Sequence, residues 1–209
     1  EEGSGTVFFS GCNLRCVYCQ NVEIAAGVRG KEVPVERLAE IFLELQEKGA
    51  NNINLVTPSH YYAQIKEALL LVKEQLHIPV ISNTSSYESV EVLREMDGLI
   101  DIYLADYKYF SRELAAKYSH AEDYPQVAAE ALNEMYRQTG EPEFDERGMM
   151  KKGIIIRHLL LPGCKEDSKA VLNYLYETFG DSVYISIMNQ YTPLEHVKEY
   201  PELANENIL

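Results

Sequence analysis

Alternating strand and helix patterns constrain the fold of this chain more than any other feature of its sequence. Six short apolar runs rich in β-branched residues predict strands at residues 6–10, 52–56, 78–82, 101–107, 153–163 and 182–188. Between them, helical periodicity predicts helices at residues 33–50, 61–76, 89–96, 111–118, 125–139 and 167–180. This alternation predicts a parallel α/β sheet with right-handed connections, either doubly wound or closed into a full or partial barrel.

The composition is that of one globular domain, which we expect to cover residues 1–209. Hydrophobic residues make up 46% and charged residues 25% of the chain, which is typical of a soluble protein. No apolar run approaches the roughly 20 residues that span a bilayer. The start EEGSGTVFF lacks the basic region of a signal peptide. We therefore expect a cytoplasmic protein with no membrane contact. The net charge of −14 disfavours nucleic-acid binding, because such a surface repels phosphate.

Polar side chains follow every predicted strand. In both doubly wound sheets and barrels, catalytic and binding residues lie at the carboxyl ends of the strands. These side chains therefore predict the rim of an active site. After the first strand, the rim contains the cysteine-rich loop SGCNLRCVYCQN at residues 10–21. The later strand ends contribute TPSH at 57–60, NTSSY at 83–87, Asp106 with Lys108, Arg157 with His158, and Asn189 to Tyr191. The long segment 111–152 is predicted to face a substrate or partner, and its TGEPEFDERG stretch is predicted to be an exposed acidic loop.

Three of the four cysteines lie within eight residues of the first loop, with C-x-x-x-C-x-x-C spacing. A structural zinc site would need a fourth ligand, either Cys164 or one of the five histidines. A 4Fe–4S cluster fits the spacing better, since three thiolates leave one iron without a protein ligand and open to a cofactor or substrate. The spacing favours the cluster, and the zinc site remains the alternative.

The loop GCNLRCVYCQN resembles the C-x-x-x-C-x-aromatic-C signature of the radical S-adenosylmethionine (SAM) enzymes. With NLVTPSH, NTSSYES, DIYLADYK, IIIRHLLLPG and SIMNQYTP, nearly the whole chain is similar to the branch related to pyruvate formate-lyase-activating enzyme. This resemblance implies a partial (β/α)6 barrel that is open on one side. Members of that branch are usually longer, so further segments before Glu1 and after Leu209 are expected.

The resemblance also implies a function. A reduced 4Fe–4S cluster cleaves SAM to a 5′-deoxyadenosyl radical that abstracts hydrogen from a substrate. The expected partners are SAM, a reductant such as flavodoxin or ferredoxin, and a protein or peptide substrate, as in a glycyl-radical-enzyme activase. A small-molecule substrate fits equally well. Two alternatives stay open: a zinc-stabilised α/β hydrolase or binding domain, and a non-catalytic scaffold that keeps the cluster loop.

Site residues follow from the resemblance one position at a time. Cys12, Cys16 and Cys19 match the cluster ligands. Asp106 and Lys108 match an Asp-x-Lys that contacts SAM in the activating enzymes. By strand periodicity, both lie on the same strand face as Ile102 and Leu104.

Arg157 matches a basic residue that holds the ribose or carboxylate of SAM, and it needs an acidic partner, either that carboxylate or a structural aspartate. His158 is expected to pack on the opposite face. Gln190 and Tyr191 match adenine contacts, whereas Met188 is expected in the core. Cys164 is expected to be inert.

The chain departs from the activating enzymes at two positions. Their Gly-Gly-Glu after the second strand is replaced by Thr57 to His60, so the Thr57 hydroxyl and backbone carbonyls are the groups left to bind the SAM amino group. Their cation-binding acid after the third strand is replaced by Asn83, whose amide oxygen remains a suitable ligand for a monovalent cation.

Overall fold

Seven strands form one sheet in the computed structural model, which describes residues 3–204. The strands are β1 (Gly5–Phe8), β2 (Ile53–Val56), β3 (Val80–Thr84), β4 (Ile102–Asp106), β5 (Glu143–Phe144), β6 (Met150–Leu159) and β7 (Tyr184–Met188). Six of them lie side by side, all parallel, in the order β1, β2, β3, β4, β6, β7, while β5 runs antiparallel to the start of β6. All six strands predicted from the sequence are confirmed.

The strand order decides between the two folds that the periodicity left open. A doubly wound sheet reverses its strand order at a switch point. Here the six parallel strands neighbour one another in chain order, so right-handed connections place their helices on the same face of the sheet. The architecture is therefore the expected partial (β/α)6 barrel.

Seven helices connect the strands within the described residues. They are α1 (Val22–Ala25), α2 (Val35–Glu47), α3 (Tyr62–Val72), α4 (Val90–Glu95), α5 (Arg112–Ser119), α6 (Tyr124–Thr139) and α7 (Lys165–Phe179). Local sequence explains several of their ends. The Ser89 and Ser111 side chains cap α4 and α5 by accepting a backbone N–H in the first turn. Helix α2 stops before Gly49, whose φ of +83° suits a residue without a Cβ.

The two faces of the sheet differ in their access to solvent. The face toward the helices is dry and includes the buried residues Ile53, Leu55, Val80, Ile154 and Ile156. On the opposite, concave face, side chains at alternate positions of β2, β3 and β6 are only partly buried. Phe8 and Tyr184, on the outer strands β1 and β7, are each 53% exposed. The barrel is thus open along its β1–β7 side.

The prediction of an irregular acidic loop at TGEPEFDERG was wrong about the backbone. Glu143 and Phe144 pair with Lys152 and Met150, which makes a short hairpin, although both strand residues are exposed as predicted. Asp145 is the first residue of the turn between the two strands, and its carboxylate accepts hydrogen bonds from the backbone N–H groups of Arg147 and Met149. Two strand residues are too few to give a period-two pattern, so the sequence carried no strand signal there.

The expectation that segment 111–152 faces a substrate or partner stays a prediction, although its longest helix buries one face in the fold. Helix α6 packs against β4 and β6 and against α4 and α5, so it belongs to the helical layer. Among residues 3–204, no helix combines the length and apolar character needed to cross a membrane.

Two neighbouring leucines on α3 test the assignment of the dry face. Leu69 is 4% exposed and Leu70 is 52% exposed. We expect Leu69→Ala to lower the free energy of unfolding by about 2–5 kcal/mol, because it leaves a cavity, and Leu70→Ala to change it by less than about 1 kcal/mol. Urea denaturation measures both values. Equal losses at the two positions would contradict the arrangement of helix and sheet.

Candidate active site

A cavity of about 260 Å³ opens at the carboxyl ends of β4, β6 and β7, beside the cysteine loop. Seven candidate residues named in the sequence analysis line it: Cys16, Cys19, Asp106, Lys108, Arg157, Gln190 and Tyr191. Met188 also lines it, so the expectation that Met188 lies in the core was wrong, because β7 is an outer strand whose concave face is not covered. Cys12, Thr57 and Asn83 are not among the lining residues.

The cysteine loop is held from behind by the end of α5. The last carbonyls of a helix have no partner within the helix. In α5, the carbonyl of Tyr118 accepts the N–H of Val17 at 2.8 Å, and that of Ser119 accepts the N–H of Arg15 at 3.5 Å. These bonds place the loop between α5 and the sheet.

The Cys16 thiol has a hydrogen-bond donor from α5. Ser119 Oγ donates to Cys16 Sγ at 3.0 Å and lies 2.8 Å from Tyr109 Oη. Tyr109 Oη in turn is 2.7 Å from Tyr18 Oη. No sequence signal points to Ser119 or Tyr109, since neither belongs to a motif and both lie about a hundred residues from the cysteine loop.

All four cysteines are free thiols. Burial raises the pKa of Cys12 and Cys19 above the usual value, while the charge of Lys108 acts in the opposite direction on both. Burial also raises the pKa of Cys164, which agrees with its expected inertness. Within residues 3–204, no group of three or more His, Cys, Asp or Glu side chains converges as the ligands of a single metal ion would.

Asp106 is the centre of a charged network at the mouth of the barrel. Arg157 Nε donates to Asp106 Oδ1 at 2.8 Å, and Lys108 Nζ donates to Asp106 Oδ2 at 2.6 Å. Arg157 Nη2 also donates to Asn83 Oδ1 at 2.8 Å. Of the two partners considered for Arg157, the structure provides the aspartate. Burial opposes the ionisation of Asp106, but Lys108 and Arg157 outweigh it and hold the pKa of this carboxyl below its usual value.

The loops after β2 and β3 meet beside this network. Thr57 has a φ of +57°, which is uncommon for a β-branched residue, and its N–H donates to the carbonyl of Asn83 at 2.9 Å. The Asn83 side-chain oxygen faces the Arg157 guanidinium, a neighbour that does not favour a second cation at the same oxygen. The monovalent cation stays a prediction.

The structure places two further residues for which the sequence gives an expectation, His158 and Tyr191. His158 is 1% exposed and hydrogen-bonds with the Tyr107 carbonyl at 2.8 Å and with Ser168 Oγ at 2.9 Å, so its packing role is confirmed. Tyr191 lines the cavity, but its hydroxyl donates to the Leu203 carbonyl at 2.8 Å.

Glu88 is a buried acid that the sequence reasoning missed. It accepts hydrogen bonds from Ser59 Oγ at 2.6 Å and from Thr84 Oγ1, so it ties the loop after β2 to the end of β3. Burial raises the pKa of Glu88 to about 7, and the two hydroxyl donors only partly offset this effect. Its signal in the sequence was weak, because a single acid in NTSSYES has no periodic context.

The pH dependence of stability tests this environment. Between the usual pKa of 4.5 and the folded value of about 7, the folded chain keeps a proton on Glu88 that the unfolded chain releases. Stability from this group is therefore complete below pH 4.5 and falls as the pH rises to about 7. We expect the unfolding free energy of the Glu88→Gln variant, relative to the native chain, to rise by about 3 kcal/mol across that window. Urea denaturation at several pH values measures both free energies. A difference between variant and native chain that does not change with pH would contradict the raised pKa of Glu88.

One family model matches most of the chain, and one curated protein is similar to it over nearly the whole length of this chain. A sequence model of the Radical SAM superfamily matches residues 6–163. A protein of Methanocaldococcus jannaschii, named Uncharacterized protein MJ0674, is 27% identical over 213 residues, which cover 96% of this chain and 57% of that protein.

Solved structures share the fold at low sequence identity. The FeFe-hydrogenase maturase HydG of Carboxydothermus hydrogenoformans has a TM-score of 0.63 and 14% identity, over 92% of this chain and 45% of that one. SuiB of Streptococcus suis, bound to the precursor peptide SuiA, has a TM-score of 0.59 and 14% identity, over 97% of this chain and 41% of that one. The chain thus spans about half the length of the proteins that it matches.

Proposed function

The chain belongs to the Radical SAM superfamily, and from this membership and the geometry of its cavity we propose that it is an enzyme that cleaves SAM reductively. The cofactors are those of the family, a 4Fe–4S cluster and SAM. The observation that carries the proposal is the cavity, since two of the three loop thiols and the Asp106–Lys108–Arg157 network line the same space. When bound, the cluster and SAM supply the one-electron chemistry that starts hydrogen abstraction from a substrate.

The loop thiols fit a cluster with an open corner. Cys12, Cys16 and Cys19 are free and are the three ligands that we propose. Ligands of one zinc ion must converge on one point, which no such group among residues 3–204 does, whereas the ligands of a cluster bind different irons. Cys19 N–H donates to the Cys16 carbonyl at 3.1 Å, a turn that keeps the last two thiols on one side of the loop.

The charged network fits the amino-acid end of SAM. Lys108 uses one of its three donors on Asp106. Arg157 Nη1 has no hydrogen-bond partner within residues 3–204. We propose that these free donors bind the SAM carboxylate, while Asp106 holds both cations in place and keeps them charged. The Thr57 hydroxyl lies on a neighbouring loop, and we assign it to the amino group, while the Asn83 side-chain oxygen orients Arg157. Gln190 lines the same cavity, and we place the adenine beside it.

For the substrate, we propose a peptide or protein segment. The concave face is open between β1 and β7, and the aromatic rings of Phe8 and Tyr184 are exposed there. SuiB, which shares the fold, is bound to a precursor peptide. The resemblance to activating enzymes makes a glycyl-radical enzyme one such substrate, and flavodoxin or ferredoxin the proposed electron donor.

Anaerobic reconstitution with iron and sulfide tests the proposal. We expect about four irons and four sulfides per chain, and 5′-deoxyadenosine after addition of dithionite and SAM. Cys16→Ser removes a direct ligand of the cluster and should abolish the formation of 5′-deoxyadenosine. It should lower cluster affinity by more than the roughly 10- to 100-fold that is lost when only a hydrogen-bond partner of a ligand is removed. Cys164→Ser is the matched control and should change neither value. A colourless chain with one zinc that depends on Cys164 would overturn the proposal, and a cluster-loaded chain that leaves SAM intact would favour a scaffold.

The role of Arg157 is tested by SAM binding to the cluster-loaded chain, measured by equilibrium dialysis. We expect Arg157→Gln to weaken SAM binding by about 10- to 100-fold, because a charge-assisted hydrogen bond is lost, with unchanged iron content. Arg112→Gln removes the same charge from a side chain that is 63% exposed and should have no effect. Unchanged SAM affinity with lower unfolding stability would make Arg157 only the structural partner of Asp106.

A further inference from the structure

A chain of buried hydroxyl groups ends on one of the cysteines that we assign to the cluster. Its members are Tyr18, Tyr109, Ser119 and Cys16, joined by contacts of 2.7, 2.8 and 3.0 Å. The two phenols and Ser119 are 8%, 1% and 1% exposed. Water therefore has little access to these groups, and their hydrogen bonds are made with one another.

We propose that the buried hydroxyl of Ser119 donates a hydrogen bond to the Cys16 sulfur that raises the reduction potential of the cluster. The inference rests on the proposed function, since it concerns the cluster held by Cys16. Hydrogen bonds to ligating sulfur are among the factors that set the potential of iron–sulfur clusters. A donor stabilises the reduced cluster more than the oxidised one, because reduction adds negative charge that the sulfur shares.

Two of the three contacts have a defined donor, since Tyr109 donates to Tyr18 and Ser119 donates to Cys16. Tyr109 has one hydroxyl proton, which Tyr18 accepts, so Ser119 is the donor in its contact with Tyr109 as well. A cysteine that binds iron is a thiolate and has no proton to give, and its negative charge makes it the stronger acceptor for the Ser119 proton.

The Ser119 hydroxyl can be removed without releasing the cysteine loop. The backbone keeps Ser119 in place independently of its hydroxyl, because the Ser119 and Tyr118 carbonyls bind the cysteine loop. Removal of the hydroxyl therefore leaves the loop docked and removes only the donor.

The test is a redox titration of the reconstituted chain followed by electron paramagnetic resonance. We expect Ser119→Ala to shift the midpoint potential to a more negative value, with about a tenfold smaller equilibrium constant for reduction, or about 59 mV for one electron. Tyr118→Phe is the control, because its hydroxyl donates to Glu202 at 2.7 Å and lies outside the hydroxyl chain.

Iron content and thermal unfolding, measured on each variant, separate the possible outcomes. Lower stability or iron content with an unchanged potential in Ser119→Ala would show a structural role only and would overturn the inference. Equal shifts in Ser119→Ala and Tyr118→Phe would also overturn it, because the effect would not come from the Ser119 hydroxyl. A native chain that holds no cluster would overturn the proposed function itself.

Discussion

One buried carboxylate organises the mouth of the barrel. Asp106 is 15% exposed and lies between the side chains of Lys108 and Arg157, which are 19% and 22% exposed. Each of these charges would be costly alone in such an environment, and together they compensate one another. Because β4 lies between β3 and β6, the network also joins the ends of three strands through Asn83. It therefore keeps two cations facing the cavity of a chain whose net charge is −14.

The cysteine loop depends on a second constraint, its attachment to α5. This helix belongs to the long segment between β4 and β6, and its terminal carbonyls bind the backbone of the loop. The segment thus supports the site from behind, and the sheet is open along the edge between β1 and β7. The same helix end supplies Ser119. The end of α5 therefore both positions the cysteine loop and provides the hydrogen-bond donor to the Cys16 sulfur.

The loops after β2 and β3 show how unusual backbone is stabilised near the site. Thr57 and Ser86 have φ values of +57° and +63°, in a region that most residues avoid. Glu88 lies beneath both loops and binds Ser59 and Thr84. The Thr57 N–H is bound by the neighbouring strand end. Surrounding hydrogen bonds thus hold both loops in a conformation that local sequence alone would not select.

The sequence by itself determined the six parallel strands and the helices between them. It also determined the cysteine spacing and the strand face shared by Leu104, Asp106 and Lys108. Each of these features depends only on residues that are close together in the chain. Only the tertiary structure decided that the strands follow chain order, that Arg157 has Asp106 as its partner, and that Ser119 reaches Cys16. These contacts join residues 51 and 103 positions apart. No local pattern encodes them, because they exist only once the strands and helices have packed.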